Sequence, residues 1–234
     1  MSSPSPARGP GARLLAHLDW WLRPGLKHEY GGPFNDQRGR ALLCEQIAAS
    51  GPVEAVVETG TYRGTTTLFL ARAFGAPVHS VEVVPRWHHY ARLRTRHEPR
   101  IRLAVGDSRA FLAALATDPD VPKRDVFFYL DAHRPGDVPL LDELALLMRS
   151  WRDSVVMIDD FEVPGDPGYR FDDFGPGFTA DLLPPRSLMR RFYPAIPSAE
   201  ETGHRRGCVV LAMRGPWVER LSRIPALRED AGPA

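Results

Sequence analysis

The feature that most constrains the fold of this chain is a repeated alternation of short apolar runs and helical segments. Five such units lie between residues 53 and 159, and each apolar run ends at or just before an acidic residue. This β-then-α repeat predicts a parallel, doubly wound α/β sheet. The predicted strands cover residues 53–57, 78–81, 101–105, 126–130 and 155–158, with helices at 65–74, 85–97, 108–116 and 139–151. A strand at 208–213, and another near 195, complete the pattern.

The length and composition favour a single domain. The chain has 234 residues, 43% of them hydrophobic, which is enough for one large core. We expect disordered tails at 1–12 and 226–234, a helical N-terminal cap at 13–50 and the α/β domain at 51–225. The cap contains two amphipathic segments, at 14–22 and 37–49. Segment 162–185 is rich in Gly, Pro and aromatic residues, and we predict that it forms a lid.

Charge and hydropathy exclude several classes of partner. The net charge is +1 and no basic stripe is evident, so we expect no nucleic-acid partner. No apolar run approaches the roughly 20 residues that span a bilayer. We therefore expect no membrane partner and a cytoplasmic location. Two cysteines, Cys44 and Cys208, are too few for a disulfide framework or a zinc site, and we predict buried free thiols.

The turn after the first strand carries a glycine pattern typical of a cofactor site. Glu58 ends the strand, and Gly60 and Gly64 follow it. Glycines there allow a tight turn and bring backbone N–H groups close to a ligand. Tyr62 occupies the place of the middle glycine of G-x-G-x-x-G, which a dinucleotide needs for its pyrophosphate. This favours S-adenosylmethionine (SAM), which has no phosphate, over NAD.

Two further strand ends complete the predicted cofactor site. Glu82 ends the second strand, where an acid can accept hydrogen bonds from both ribose hydroxyls. Asp107 and Ser108 follow the third strand, where the adenine edge of a nucleoside would lie. Open α/β sheets bind ligands at the carboxyl ends of their strands, so these groups should share one pocket.

Three aspartates follow the fourth and fifth strands, Asp131 in one segment and Asp159 and Asp160 in the next. At neighbouring strand ends, these carboxylates would repel one another unless a cation lay between them. Mg²⁺ prefers oxygen ligands in an octahedral array. We predict a metal site formed by Asp131, Asp159 and Asp160. The alternative interpretation is a set of helix caps and solvated loop acids.

Together, E-x-G-x-x-x-G, the acid after the second strand and G-D-S after the third resemble the cofactor motifs of class I SAM-dependent methyltransferases. The resemblance covers roughly residues 53–213. It implies a Rossmann-like, seven-stranded sheet whose last strand is inserted antiparallel, with a short N-terminal helical extension. It also implies that SAM is bound by Glu58, Gly60, Thr61, Tyr62, Gly64, Thr65, Glu82, Asp107 and Ser108.

The aspartate pattern is similar to that of metal-dependent O-methyltransferases. It is closest to the group acting on macrolide sugars, aminocoumarins and cephalosporins in antibiotic biosynthesis. The resemblance implies that Mg²⁺, or another divalent cation, binds vicinal oxygens of a small hydroxylated substrate. The cation lowers the pKa of one hydroxyl, which then attacks the SAM methyl group.

A general base is harder to assign from the sequence. Catechol-type enzymes have a Lys three residues after the first metal aspartate, but here that residue is Arg134, which stays protonated. His133 is the predicted base, because imidazole titrates near neutral pH. Asp131 is the second predicted catalytic residue.

Several segments are open to more than one interpretation. Residues 30–38 either cover the pocket, with Asn35, Gln37 and Arg38 touching substrate, or form a surface loop. Residues 203–207 either reach the pocket mouth or form a solvated hairpin. The aromatic and histidine run at 87–90 is predicted to lie away from the strand ends.

The leading hypothesis is a SAM-dependent O-methyltransferase of natural-product biosynthesis, with a homodimer as the expected assembly. One alternative is a SAM-binding enzyme of the same fold that performs non-methylating chemistry. Another is a non-catalytic nucleotide-binding partner protein. A nicotinamide oxidoreductase is disfavoured by Tyr62.

Overall fold

The central element of the fold is an eight-stranded sheet. The computed structural model describes residues 10–133, 136–173, 177–213 and 215–230. The strands are β1 Ala55–Thr59, β2 Val78–Glu82, β3 Ile101–Val105, β4 Val126–Leu130, β5 Val155–Asp159, β6 Met189–Pro194, β7 Cys208–Met213 and β8 Leu227–Glu229. Their spatial order is β3-β2-β1-β4-β5-β7-β6-β8.

The first five strands are parallel, and β7 lies antiparallel between β5 and β6. This confirms the predicted doubly wound α/β sheet with an inserted antiparallel strand. The sheet has eight strands where seven were predicted, because the short strand β8 pairs with β6. Residues 226–230 are therefore not a disordered tail. Ala226 and Leu227 are buried in the core, and that burial holds the short strand in place.

Seven α-helices and three short 3-10 turns surround the sheet in the part of the chain described. The helices are α1 Pro10–Leu22, α2 Arg38–Ser50, α3 Thr65–Phe74, α4 Pro85–Thr95, α5 Ser108–Thr117, α6 Leu140–Ser150 and α7 Pro216–Ser222. The 3-10 turns are Pro24–Lys27, Pro33–Asp36 and Ala180–Leu182. Helix α1 begins inside the segment 1–12 that the sequence predicts as a disordered tail.

The core lies in two layers, one on each face of the sheet. Helices α5 and α6 cover one face, with Leu112, Leu144 and Trp151 buried against it. Helices α2, α3 and α7 cover the other. Both cysteines lie in this second layer as buried free thiols, as predicted. Because β1, β4 and β5 are buried along their whole length, their carboxyl ends are held firmly at one edge.

Within the residues that the structure describes, no helix has both the length and the apolar character needed to cross a membrane.

Candidate active site

A cavity of about 540 Å³ opens at the carboxyl ends of the parallel strands. Its walls include five of the residues predicted to bind the cofactor: Gly60, Tyr62, Glu82, Asp107 and Ser108. They also include three residues of the predicted catalytic and metal sites, namely Asp131, His133 and Asp160. The volume lies within the range of about 300–1,000 Å³ that is usual for small-molecule sites.

The turn after β1 is fixed by contacts with two neighbouring strands. The backbone N–H groups of Gly60 and Thr61 donate to the carbonyl oxygen of Val81, at 3.0 and 3.1 Å. Gly60 has φ +89°, and a Cβ there would lie 2.2 Å from the carbonyl oxygen of Asp131. Only glycine fits where these two loops touch.

Glu82 both lines the cavity and holds its rim. Its carboxylate accepts hydrogen bonds from the backbone N–H of Tyr62 at 2.6 Å and from that of Val84 at 2.8 Å. Asp107 has a similar double role, because it caps α5 by accepting from the N–H groups of Arg109 and Ala110. Both acids are therefore pre-positioned by backbone contacts.

The other predicted cofactor residues lie outside the main cavity. Thr61 and Thr65 line a smaller hollow that shares Gly60 and Tyr62 with it. Gly64 packs against Ala91 of α4. Glu58 is fully buried and accepts hydrogen bonds from the hydroxyls of Thr67 and Ser80. The structure thus places Glu58 and Gly64 as supports of the turn.

The burial of Glu58 should make the stability of the protein depend on pH. Burial raises its pKa to about 7, against the hydrogen bonds from Ser80 and Thr67, while the charge of Glu82 raises it further. The folded state therefore binds this proton more tightly than the unfolded state. The stability gained from this tighter proton binding is fully present below the unfolded-state pKa of about 4.5. It is lost as the pH rises through the folded-state pKa of about 7.

We expect Glu58→Gln to stabilise the protein above pH 7 by up to roughly 3 kcal/mol, with the gain vanishing toward pH 4.5. Urea denaturation at several pH values measures this difference. Glu54→Gln, which alters an exposed residue of the same segment, is the control and should stay within about 0.5 kcal/mol of wild type. A Glu58→Gln variant less stable than wild type at pH 8 would contradict the assignment.

Asp131, His133 and Asp160 form the polar end of the cavity. One ligand atom from each lies within 4.8 Å of the others. The Nε2 atom of His133 is 3.2 Å from Oδ2 of Asp160 and 3.9 Å from Oδ1 of Asp131. It is also 3.1 Å from Oδ2 of Asp172. The cluster can hold a cation, although its members differ from the predicted set.

The structure does not bring Asp159 into this cluster, which corrects the predicted metal site. Its carboxylate is 3% exposed and forms an ion pair with the equally buried guanidinium of Arg40. It also accepts a hydrogen bond from the hydroxyl of Tyr129. Successive residues at a strand end point to opposite faces, so Asp159 faces α2 while Asp160 faces the cavity.

Of two further residues at the cluster, Asp172 was not predicted from the sequence, and Arg206 lies in a loop whose interpretation was left open. Asp172 comes from segment 162–185, and Arg206 from the loop before β7. The Arg206 guanidinium bridges Asp160 and Asp172. Phe178 packs its ring against His133, with centroids 4.6 Å apart. The described part of segment 162–185 thus packs against the cluster through Asp172 and Phe178, without lining the cavity itself.

The protonation state of His133 opposes its predicted role as general base. Burial alone would lower its pKa. Hydrogen bonds to Asp160 and Asp172, together with the charge of Asp131, instead raise that pKa to about 11. With no cation in the cluster, the imidazole is therefore already protonated at neutral pH and cannot accept a proton. Arg134, the other residue weighed for this role, lies outside the described residues.

Asp131 carries the uncompensated charge of the site. Burial, followed by the charges of Asp159 and Asp160, raises the pKa of its carboxyl well above the usual range. Four carboxylates, Asp131, Asp159, Asp160 and Asp172, face two guanidinium groups, Arg40 and Arg206. The excess is one negative charge while His133 is protonated and two once His133 is neutral, which equals the charge of one divalent cation.

Aromatic side chains cover the cofactor end of the cavity. The Tyr62 ring packs edge-on against Tyr30 and Trp87, with centroids 6.3 and 5.3 Å away. The guanidinium of Arg63 lies over the rings of Tyr62 and Trp87. Trp87 therefore lines the cavity, and the prediction that residues 87–90 lie away from the strand ends is wrong at this position.

The two loops with open interpretations both reach the cavity. Asn35 lines it, and so do His204 and Arg206. Gln37 is buried and makes two hydrogen bonds to the backbone of Arg206, at 2.8 and 2.7 Å. Arg38 is exposed and lies outside the cavity wall. Contacts between distant segments place these residues, so the sequence alone left both alternatives open.

Comparison with known proteins agrees with this geometry. Residues 57–161 match a family model described as a methyltransferase domain. The human protein named transmembrane O-methyltransferase is 31% identical over 171 residues, covering 69% of this chain and 55% of that protein. The mouse homologue is 29% identical, with 69% of this chain and 62% of that protein covered. The chain thus spans little more than half the length of these relatives.

Solved structures share the fold. The O-methyltransferase TomG from Streptomyces achromogenes, involved in tomaymycin synthesis and solved with SAM, gives a TM-score of 0.57 at 16% identity, covering 89% of this chain and 92% of TomG. An O-methyltransferase from Bacillus cereus, solved with S-adenosylhomocysteine (SAH), gives a TM-score of 0.56 at 13% identity. The match covers 89% of this chain and 92% of that protein. Residues 57–161 thus match a methyltransferase domain, and the chain has the fold of SAM-dependent O-methyltransferases of known structure.

Proposed function

We propose that this protein is an O-methyltransferase that transfers the methyl group of SAM to a small hydroxylated molecule with the help of a divalent cation. One observation carries the proposal: a single continuous cavity joins the residues suited to SAM to the cluster of Asp131, His133 and Asp160.

The cofactor end of the cavity fits SAM. Gly60 keeps the loop wall free of a side chain, and Glu82 brings a carboxylate, the kind of group that accepts from ribose hydroxyls, to the cavity wall. Asp107 and Ser108 stand at the start of α5, beside the position proposed for the adenine. Tyr30, Tyr62 and Trp87 give this end aromatic walls.

The polar end fits a divalent cation. Asp131 and Asp160 would supply oxygen ligands, and His133 would supply a nitrogen in place of Asp159. Mg²⁺ prefers oxygen, whereas imidazole also suits other divalent ions, so the proposal includes both. The excess of two negative charges that remains once His133 is a neutral ligand supports the same conclusion.

The chemistry divides between the cation and the chain. A bound cation lowers the pKa of a coordinated hydroxyl, so that the oxygen becomes nucleophilic near neutral pH. Asp131 and Asp160 would hold the cation at the mouth of the cofactor pocket, where the substrate oxygens would meet it. Arg206 fixes the orientation of Asp160, and Phe178 shields the cluster from water. His133 would act here as a ligand in its neutral form, so its own proton would leave to solvent when the cation binds, and the substrate proton would also pass to solvent water.

The substrate class follows from the site and the resemblance. Vicinal hydroxyls on a sugar or an aromatic ring would match two open positions on the cation. The similarity of the aspartate pattern to enzymes of antibiotic biosynthesis supports a natural-product substrate, as does the involvement of TomG in tomaymycin synthesis. A homodimer and a cytoplasmic location remain predictions from the sequence alone.

The metal-dependent part of the proposal is tested with paired aspartate variants. We expect Asp160→Asn to weaken binding of Mg²⁺ or Mn²⁺ by about 10–100-fold, because it removes a charged oxygen ligand and an Arg206 contact. Calorimetric titration with each metal measures this, and methyl transfer from labelled SAM to a panel of vicinal diols and catechols gives the activity.

Asp173→Asn is the matched control, because Asp173 is exposed and lies in the same segment as Asp172. It should leave both readouts unchanged. Methyl transfer that survives EDTA would rule out the cation while leaving the methyltransferase activity intact. SAM binding without transfer to any acceptor would favour the non-methylating alternative. Retained function in Asp131→Asn and Asp160→Asn would favour the non-catalytic one.

A further inference from the structure

The outer face of α1 exposes an unusual number of large apolar side chains. Five of them are between 43% and 71% exposed: Leu14, Leu15, Leu18, Trp21 and Leu22. At about 100° per residue they fall within a sector of roughly 120° on one side of the helix. A contiguous apolar stripe on a protein surface indicates an interaction site, unlike scattered single residues. We call these five residues the α1 stripe.

The α1 stripe is held outward by contacts on the opposite side of the helix. Ala16 and Asp19 are buried there, and Asp19 forms an ion pair with Arg86 of α4. Trp20 packs edge-on against Tyr90, with ring centroids 5.2 Å apart. The helix is thus docked through its polar and small residues, and the stripe faces away from the domain.

The surroundings of the stripe are strongly basic. Segments 10–28 and 85–96 together contain seven Arg and Lys residues and one acid, the buried Asp19, although the whole chain has a net charge of only +1. The flanking acids Glu29 and Glu98 are each paired with an arginine, Arg63 and Arg100. The seven basic residues are Arg13, Arg23, Lys27, Arg86, Arg92, Arg94 and Arg96.

Lys27 joins the apolar and basic parts of this surface. Its ammonium group lies 4.3 Å from the ring centre of Trp20 and 5.8 Å from that of Trp21. Tryptophan next to lysine is typical of the boundary between lipid chains and headgroups, where the ring is half-buried and the cation meets phosphate.

We propose that the α1 stripe docks this protein onto the surface of an anionic lipid bilayer. The 13-residue helix is only about 20 Å long, too short to span the bilayer, so it lies in the plane of the interface. The leucines and Trp21 enter the headgroup boundary, and the basic surround meets lipid phosphates. A second copy would instead bring two basic surfaces together. The expectation of no membrane partner is revised for this face.

Vesicle sedimentation with the whole chain tests the proposal. We expect wild type to bind vesicles of equal phosphatidylcholine and phosphatidylglycerol, to bind pure phosphatidylcholine weakly, and to lose affinity as salt is raised. Leu14→Ser/Leu18→Ser/Trp21→Ser should lower the partition coefficient for the anionic vesicles by at least about tenfold, because three inserted side chains are lost. Trp fluorescence should shift to the blue when wild type is mixed with anionic vesicles, and should not shift for the triple variant.

The matched control is Leu141→Ser/Leu188→Ser, which removes two apolar side chains that are 54% and 47% exposed but lie outside the stripe. It should bind vesicles like wild type, and thermal melts should show both variants folded. Failure of wild type to bind anionic vesicles, or equal binding by the triple variant, would overturn the proposal. A wild-type dimer that ignores vesicles and becomes a monomer in the triple variant would assign the stripe to a second copy.

Discussion

Gly60→Ala is expected to lower the affinity for SAH by about a hundredfold or more, because displacing a binding loop by about 1 Å has effects of this size. The new Cβ would lie 2.2 Å from the carbonyl oxygen of Asp131, 2.6 Å from its carbonyl carbon and 3.1 Å from the backbone nitrogen of Ala132. All three are backbone atoms, so no side-chain rotation can relieve the clash. The two loops must separate, and with them the cofactor and cation ends of the cavity.

The same substitution should lower the free energy of unfolding by about 2–4 kcal/mol, from overpacking and from a non-glycine residue at φ +89°. Gly165→Ala is the matched control. Gly165 has a similar φ of +82°, but a Cβ there would meet no atom within 4 Å. Gly165→Ala therefore measures the cost of backbone strain alone, about 1 kcal/mol, without a steric clash. It should leave the affinity for SAH unchanged. Equal SAH affinities for Gly60→Ala and wild type would show that the cofactor does not use this loop.

Arg40→Met should be the most destabilising single substitution in the site, by about 3–5 kcal/mol, because it leaves the buried carboxylate of Asp159 without its cation. Arg40 is 3% exposed and also donates to the carbonyl oxygen of Arg206. Its loss therefore loosens the loop that carries Arg206. Urea denaturation measures the free energy of unfolding.

The double variant Arg40→Met/Asp159→Asn should recover most of that loss, since neither charge then remains buried and unpaired. Arg38→Met, an exposed neighbour on α2, is the control and should change stability by no more than about 0.5 kcal/mol. If the double variant were as unstable as Arg40→Met, the ion pair would not be the cause. If Asp159 ligated a cation instead, adding divalent metal would restore the stability of Arg40→Met.

The sheet and the cofactor turn could be predicted because their signals are local. The hydrophobic periodicity of each strand and helix, and the acid at each strand end, depend on neighbouring residues in the sequence. The spacing of Gly60 and Gly64 is likewise set within a single turn. The cation cluster depended on distant contacts. Asp159 and Asp160 are adjacent and chemically identical, and their different roles arise from Arg40, 119 residues earlier in the chain, and from Arg206, 46 residues after Asp160.

Electrostatics around His133 is a second feature that the sequence could not show. An isolated His133 would titrate near neutral pH and suit a base, but three carboxylates around it raise its pKa to about 11. One of these, Asp172, lies in a segment with no regular periodicity, so its position could not be inferred. Strand β8 was missed for a simpler reason: three residues are too few to show an alternating pattern.

The most direct test of the central claim, that the strand-end cavity is the SAM site of a methyltransferase, is calorimetric titration of the wild-type protein with SAM and SAH. We predict saturable binding of both at one shared site, with SAH displacing SAM, and loss of that binding in Gly60→Ala but not in Gly165→Ala. The account would be contradicted if the folded wild-type protein bound neither molecule. It would also be contradicted if Gly60→Ala bound SAM and SAH as tightly as wild type does.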